Sequence, residues 1–168
     1  VRAASGMYFY RISAGGFADT EYSVRQLIEM EGNSDRRDLM QTLARCLIEL
    51  DRPVEAREIL IELTQDARGS NDTQAWIDLA NVAMMLEDTN RLRQAASRLI
   101  AMAPHEPEGY IIRAMWLHDQ GKTDAALETL SLGSKRCPRA ESIAVLQAVY
   151  YEASGNRDLA VASTERAL

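Results

Sequence analysis

The stretch Leu117-His118-Asp119-Gln120-Gly121-Lys122-Thr123-Asp124-Ala125-Ala126-Leu127 (LHDQGKTDAAL) can be read in two ways. Gly-Lys-Thr could close a phosphate-binding loop, or it could be a turn between two helices. The loop reading needs a glycine five residues before Gly121, and that position holds Trp116. It also needs a strand leading in, whereas the residues before Gly121 have the spacing of an amphipathic helix. The turn reading needs only a glycine that enters the left-handed region, where one helix stops and the next begins. Thr123 or Asp124 is then placed to N-cap the second helix. The stretch is read as a helix–turn–helix.

The rest of the chain agrees. Pro53, Pro104, Pro107 and Pro138 all fall between apolar-periodic segments. An interior proline costs a helix about 3 kcal/mol, so this placement suits an all-helical chain. Leu43, Leu47 and Leu50 repeat at helical spacing, as do Ile59, Leu60 and Leu63, and Ala125, Leu127 and Leu130. Helices are predicted near 20–31, 36–50, 54–66, 73–86, 90–102, 107–119, 123–136, 141–153 and 157–168. Loops of a few residues force neighbouring helices to run antiparallel.

Sliding the sequence on itself by 34 residues brings columns into register. Trp76, Tyr110 and Ala144 align, as do Ala80, Ala114 and Ala148, and Ala83, Leu117 and Tyr151. The turn positions Glu87, Gly121 and Gly155 form a column, as do Leu92, Ala126 and Ala160, and Pro104 aligns with Pro138. A backward offset of 36 adds Met40, Leu43, Ala44, Leu47, Asp51, Ala56, Leu60 and Leu63, with the extra residues absorbed by Arg68-Gly69-Ser70-Asn71.

These columns resemble the tetratricopeptide repeat, a helix–turn–helix unit with a W-x2-L-G-x2-Y…A-x3-F…P pattern. Trp76, Leu79 and Ala80 match its opening, and Gly121, Ala126, Leu130 and Pro138 its second half. The resemblance covers residues 37–168 and implies an all-α fold, an α-solenoid of stacked antiparallel helix pairs wound as a right-handed superhelix. One repeat domain is expected, with a degenerate unit at 1–35, repeats at 37–72, 73–106 and 107–140, and an incomplete one at 141–168. Each unit has an apolar face that it cannot bury alone, so the units must stack. Arg113 and Gln147 depart from the pattern where leucine is usual, Leu92 stands where a small residue is expected, and Gly133 lies inside a helix. That glycine costs about 1 kcal/mol relative to alanine unless close packing requires it. The segment MYFYRISAGG (7–16) fits no register, and Gly32 is placed to end the first helix.

Composition narrows function by exclusion. The chain is 46% hydrophobic and 26% charged, as folded domains are, and carries a net charge of −6 without a basic cluster. That argues against nucleic acid and anionic membrane surfaces as partners, including the RNA reading of a related repeat family. No apolar run is long enough for a membrane span. Val1 at the start suggests a processed protein or an excerpt. Cys46 and Cys137 read as free thiols, His105 as a solvated loop residue, and His118 with Asp119 as helix neighbours that do not face each other. No catalytic residue, metal ligand set or cofactor motif is found, and the chain is expected not to be an enzyme. The compartment is left open.

The resemblance implies that the first helix of each unit lines a concave face, where a protein or peptide ligand of unknown identity would bind. The partner-binding residues expected there are Arg45, then Ile77, Asn81 and Met84, then Ile111, Met115 and His118, then Val145, Val149 and Glu152. The centre of this stripe is apolar and rich in methionine, which adapts to apolar helices or extended peptides. The same residues can instead complete inter-repeat packing. One subset of the family clamps the C-terminal carboxylates of heat-shock chaperones. Here Asn81 matches one clamp position, but Ile77, Ile112, Ser142 and Leu146 occupy others, so that ligand is not expected. An apolar edge around Leu159, Val161 and Leu168 is expected to be exposed, to pack on further chain or on another copy. The alternative functions are a homo-oligomerisation module and a regulatory segment of a larger enzyme.

Overall fold

The computed structural model describes residues 16–30, 36–65 and 72–166. Among them the chain forms nine helices and no strand: α1 (Phe17–Met30), α2 (Arg36–Glu49), α3 (Pro53–Gln65), α4 (Thr73–Met85), α5 (Thr89–Met102), α6 (Glu108–Asp119), α7 (Thr123–Arg136), α8 (Glu141–Ala153) and α9 (Arg157–Glu165). The proline placement holds, since Pro53 opens α3 and Pro107 sits at the N-cap of α6. The predicted stop at Gly32, the segment 7–15 and Leu168 lie outside the described residues.

The turn column is where sequence and backbone meet most directly. Asp51, Glu87, Gly121 and Gly155 all have positive φ, at 56°, 53°, 72° and 78°. Each ends a helix with the same two hydrogen bonds. The Gly121 N–H donates to the carbonyl of His118 at 2.8 Å, and the Lys122 N–H to that of Leu117 at 2.9 Å. Glu87 and Asp88 repeat this onto Met84 and Ala83, and Gly155 and Asn156 onto Glu152 and Tyr151. This paired closure satisfies the last carbonyls of a helix while reversing the chain. The capping expectation needs correction. Thr123 is the first helical residue, the N-cap is Lys122, and no side chain caps α7. Asp72 and Asp88 do cap, accepting from the Ala75 and Arg91 N–H groups at 3.1 Å each.

The chain divides into two compact units, residues 1–63 and 64–168. In the first, α1 packs on α2, and Val24, Met40, Leu43, Cys46, Leu47 and Leu60 are buried. Arg52, in the turn before α3, reaches Glu21 on α1 at 2.6 Å and both oxygens of Glu55 at 2.6 Å, while Arg25 bonds Glu21 at 2.9 Å. Hydrogen bonding from Arg52 holds the Glu55 carboxyl below its usual range. The Arg37 guanidinium donates to the Leu63 carbonyl at 3.1 Å, linking α2 to the end of α3.

In the second unit each helix from α4 to α9 packs on its neighbour in sequence, and α6 also touches α8. The core runs through Trp76, Leu79, Ala80, Ala83, Leu92, Ala96 and Leu99, then Tyr110, Ala114, Leu117, Ala126, Leu130, Ile143 and Tyr150. Leu130 and Ile143 are fully buried, and each contributes roughly 1.5–3 kcal/mol of transfer free energy. Gly133 is accounted for by close packing. A Cβ there would stand 2.9 Å from Ile143 Cδ1 and 3.0 Å from Tyr110 Cβ and Cγ. Of the two departures from leucine, Arg113 is exposed, whereas Gln147 is 2% exposed. Gln147 is satisfied by polar neighbours: Ser134 donates to its Oε1 at 3.3 Å, its Nε2 donates to Ser131 at 3.3 Å, and Arg166 reaches Oε1 at 3.4 Å. Arg166 also donates to the buried Ser163 at 2.8 Å, which holds the guanidinium at the end of α9 where it reaches Gln147 of α8.

Candidate functional site

The residues of the expected stripe sit on α2, α4, α6 and α8, the first helices of the pairs. Arg45 is exposed on α2, in the first unit. On α4, Asn81 is exposed and Ile77 and Met84 are half-buried, followed by Met85 at 46% exposure. On α6, Ile111, Met115 and His118 are half-buried. On α8, Val145 and Val149 are each 52% exposed and Glu152 is exposed.

His118 is held in place. Its ring stacks on Tyr150 with centroids 4.1 Å apart and planes 18° from parallel, and its Nδ1 lies 3.2 Å from the Thr123 hydroxyl. This stack joins α6 to α8, and Tyr150 is itself buried in the core. Burial, with the nearby Asp119 charge, pushes the Tyr150 phenol above its ordinary pKa. Such a stacked pair is worth about 0.5–1.5 kcal/mol beyond its area. His118 is therefore a fixed wall of the stripe.

Three stripe residues meet in one concavity. Val145, Ala148, Val149 and Glu152 of α8 and Arg157, Ala160, Val161, Thr164 and Glu165 of α9 line a groove of about 570 Å³. The stripe residues of α4 and α6 do not line it. The sequence reading missed the α9 side of this groove, because it followed first helices only; the exposed Val161 of the expected edge was the available signal. That edge is present at Leu159 and Val161, which are 50% and 58% exposed.

The chemistry of the described residues is sparse. No group of three or more His, Cys, Asp or Glu side chains among them is placed to hold a metal ion. Cys46 and Cys137 are buried and free, and burial pushes both thiols above their ordinary pKa, which suppresses the reactive thiolate. Among the described residues no helix is long and apolar enough to cross a membrane. Gly121 follows a helix and closes a turn, and no strand leads into it.

Taken with the repeated helix–turn–helix closures, this geometry defines a tetratricopeptide-like helical repeat fold, all-α and built of adjacent helix pairs. Among solved structures the chain is similar to a crystal structure of MamA, with a TM-score of 0.73 at 19% identity, covering 95% of this chain and 94% of that one. A MamA RS-1 double mutant matches with a TM-score of 0.73 at 10% identity, covering 91% and 84%. YrrB, described as a TPR protein with an unusual peptide-binding site, matches with a TM-score of 0.63 at 15% identity, covering 91% and 77%. At such identities the likeness is one of fold. No family model matches the sequence, and no curated protein matches it.

Proposed function

We propose that the chain is a non-catalytic protein-interaction scaffold that binds a peptide or protein segment on its first-helix face. In this reading it is a single repeat domain with the unit boundaries given above. Ile77, Met84, Ile111, Met115, Val145 and Val149 serve as apolar anchors. Arg45, Asn81 and Glu152 orient the ligand, and His118 supplies a rigid aromatic surface.

The observation that carries the reading is the uncovered pair Val145 and Val149, one helical turn apart on α8 and both half exposed. Exposed β-branched side chains one turn apart on a helix form a small apolar surface that a ligand side chain can cover. The YrrB likeness supports a peptide or protein as ligand, since a protein of this fold carries a peptide-binding site. Affinity in such a site comes from a few buried anchors and their preorganisation, not from total area.

The test is a peptide-display screen on the whole chain and on a Met84→Glu, Met115→Glu double variant. Both methionines are half-buried at the stripe, so a charge there removes anchors without opening the core. Hits that disappear in the variant support the reading, and their common motif defines the ligand. An absence of hits, or hits indifferent to both substitutions, rejects it.

A further inference from the structure

The second helices α5 and α7 occupy matching places one repeat apart, and each borders a cleft. The α7 cleft, of about 480 Å³, is lined by Leu127, Glu128, Leu132 and Lys135 among others. A shift back by 34 residues turns these four into Arg93, Gln94, Arg98 and Ala101. All four line a cleft of about 660 Å³ on α5. Two leucines and a glutamate have given way to two arginines and a glutamine. Packing does not ask for this, since Leu127 is buried whereas Arg93 is exposed. Among the described residues no Asp or Glu lines the α5 cleft, in a chain whose net charge is −6.

Helical geometry spaces the donors. At about 100° per residue, the short Ser97 and Ala101 fall between Arg93 on one side and Gln94 and Arg98 on the other. The face is a trough with a floor of small side chains and donor-bearing margins. Gln65, exposed at the end of α3, adds another amide to the cleft lining. Arg93 makes no hydrogen bond or ion pair among the described residues, whereas Arg98 is half-buried and already engaged within the protein. The Trp76 indole, 7% exposed, also lines the cleft, and its buried N–H has no acceptor among the described residues. A buried donor left unmet is a standing cost that a ligand oxygen can relieve.

We propose that the α5 cleft binds an acidic protein segment, pairing one of its side-chain carboxylates with the Arg93 guanidinium. Gln94, Ser97 and Gln65 are the neutral donors around that pair. A planar guanidinium takes both oxygens of a carboxylate at once, and the volume falls within the range of about 300–1,000 Å³ usual for ligand sites. A carboxylate suits the cleft better than a phosphate dianion. Of the two cleft arginines Arg93 alone has its donors open, and the net charge of the chain opposes a second negative charge on the ligand. The site lies on a second helix, outside the first-helix stripe, and does not rest on the scaffold reading.

The test uses the whole chain with Trp116→Phe, which leaves Trp76 as its one tryptophan. Its emission is followed while a short peptide of alternating glutamate and glycine is added at about 0.15 M salt. A saturable change is expected, and the same peptide with glutamine for glutamate should produce none. Arg93→Glu, at an exposed position that leaves the fold intact by circular dichroism, should weaken binding by about tenfold or more. Arg93→Lys keeps the charge but loses the fork, and should weaken it by about three- to tenfold. Arg113→Glu makes the same change of charge at an exposed site on α6, and should alter binding by less than about twofold. The Met84→Glu, Met115→Glu pair should leave this binding in place, which separates the cleft from the stripe. The proposal is overturned if no saturable change occurs, if the glutamine peptide matches the glutamate one, or if Arg113→Glu costs as much as Arg93→Glu. A phosphoserine version that binds about tenfold more tightly than the glutamate peptide overturns it too, because the occupant is then a phosphate.

Discussion

The helix pairs α6–α7 and α8–α9 share one register and one turn but differ in what they bury. α7 buries Ala126, Leu127, Leu130 and Gly133, whereas α9 buries Ser163 alone. Both pairs are joined by the same reversal, through Gly121 in one and Gly155 in the other. The difference therefore does not come from the local fold. It comes from the neighbour: α7 has α8 packed on it, and the matching face of α9 lines an open groove. In a stacked array a helix pair gains much of its stability from the next interface rather than from its own turn.

That contrast predicts its own largest effect. Leu130→Ala removes a fully buried side chain between α6, α7 and α8, and should cost about 2–5 kcal/mol in urea unfolding. Thr164→Ala, the same column in the last pair, changes an exposed residue whose hydroxyl bonds only the Ala160 carbonyl at 3.0 Å. Its effect should stay within about 0.5 kcal/mol. Equal losses from the two substitutions would mean that α9 is covered as fully as α7, and the contrast would fail.

The shared turn supplies a smaller effect that sharpens the comparison by holding the neighbour constant. Gly121→Ala places a Cβ at a φ of 72° with nothing within 4 Å to meet it, so its cost is backbone strain alone, about 1 kcal/mol. Glu87→Gly works in the other direction, relieving a non-glycine residue held at a φ of 53°, and should stabilise by about 0.5–1 kcal/mol. Opposite signs in thermal melts are expected. A loss on Glu87→Gly would show that the glutamate side chain contributes more than its backbone conformation costs.

How far the sequence carries is clearest at these same positions. Gly121 and Gly155 declared the turn by residue type, while Asp51 and Glu87 were placed there only by their spacing from the glycines. Helix positions were legible because proline placement and apolar spacing act locally. The cap of α7 was not, because Thr123 and Lys122 have little to separate them until the backbone geometry is known. Gln147 looked like a flaw in the repeat. Its partners are Ser131 and Ser134 of α7 and Arg166 at the C-cap of α9, and no single-position pattern pairs them. The stripe residues were legible as positions on first helices. The stack of His118 on Tyr150 and the α9 wall of the groove depend on how helices far apart in sequence pack, which periodicity does not encode.

Tyr150 gives the smallest effect and tests the joint between the two pairs. Its ring lies in the α6–α7 core and against His118, and burial raises its phenol pKa, with Asp119 adding to the shift. A group whose folded pKa is raised stabilises fully below its unfolded pKa, about 10 for tyrosine, and that contribution is lost as pH rises through the folded value. Melting temperature should therefore fall above about pH 10, as ionisation of the phenol pulls the α8 ring out of its seat. Cys46 and Cys137, also raised by burial, add losses that begin about one to two units lower, near the ordinary thiol pKa. Tyr150→Phe keeps the ring on His118 but removes the ionisation. Its melting curve should match the parent at neutral pH and flatten only in the limb above about pH 10, where tyrosinate absorbance of the parent rises late. If Tyr150→Phe leaves that limb unchanged, the phenol titrates as an exposed one, and α8 is not seated on α6–α7 as tightly as the contrast with α9 requires.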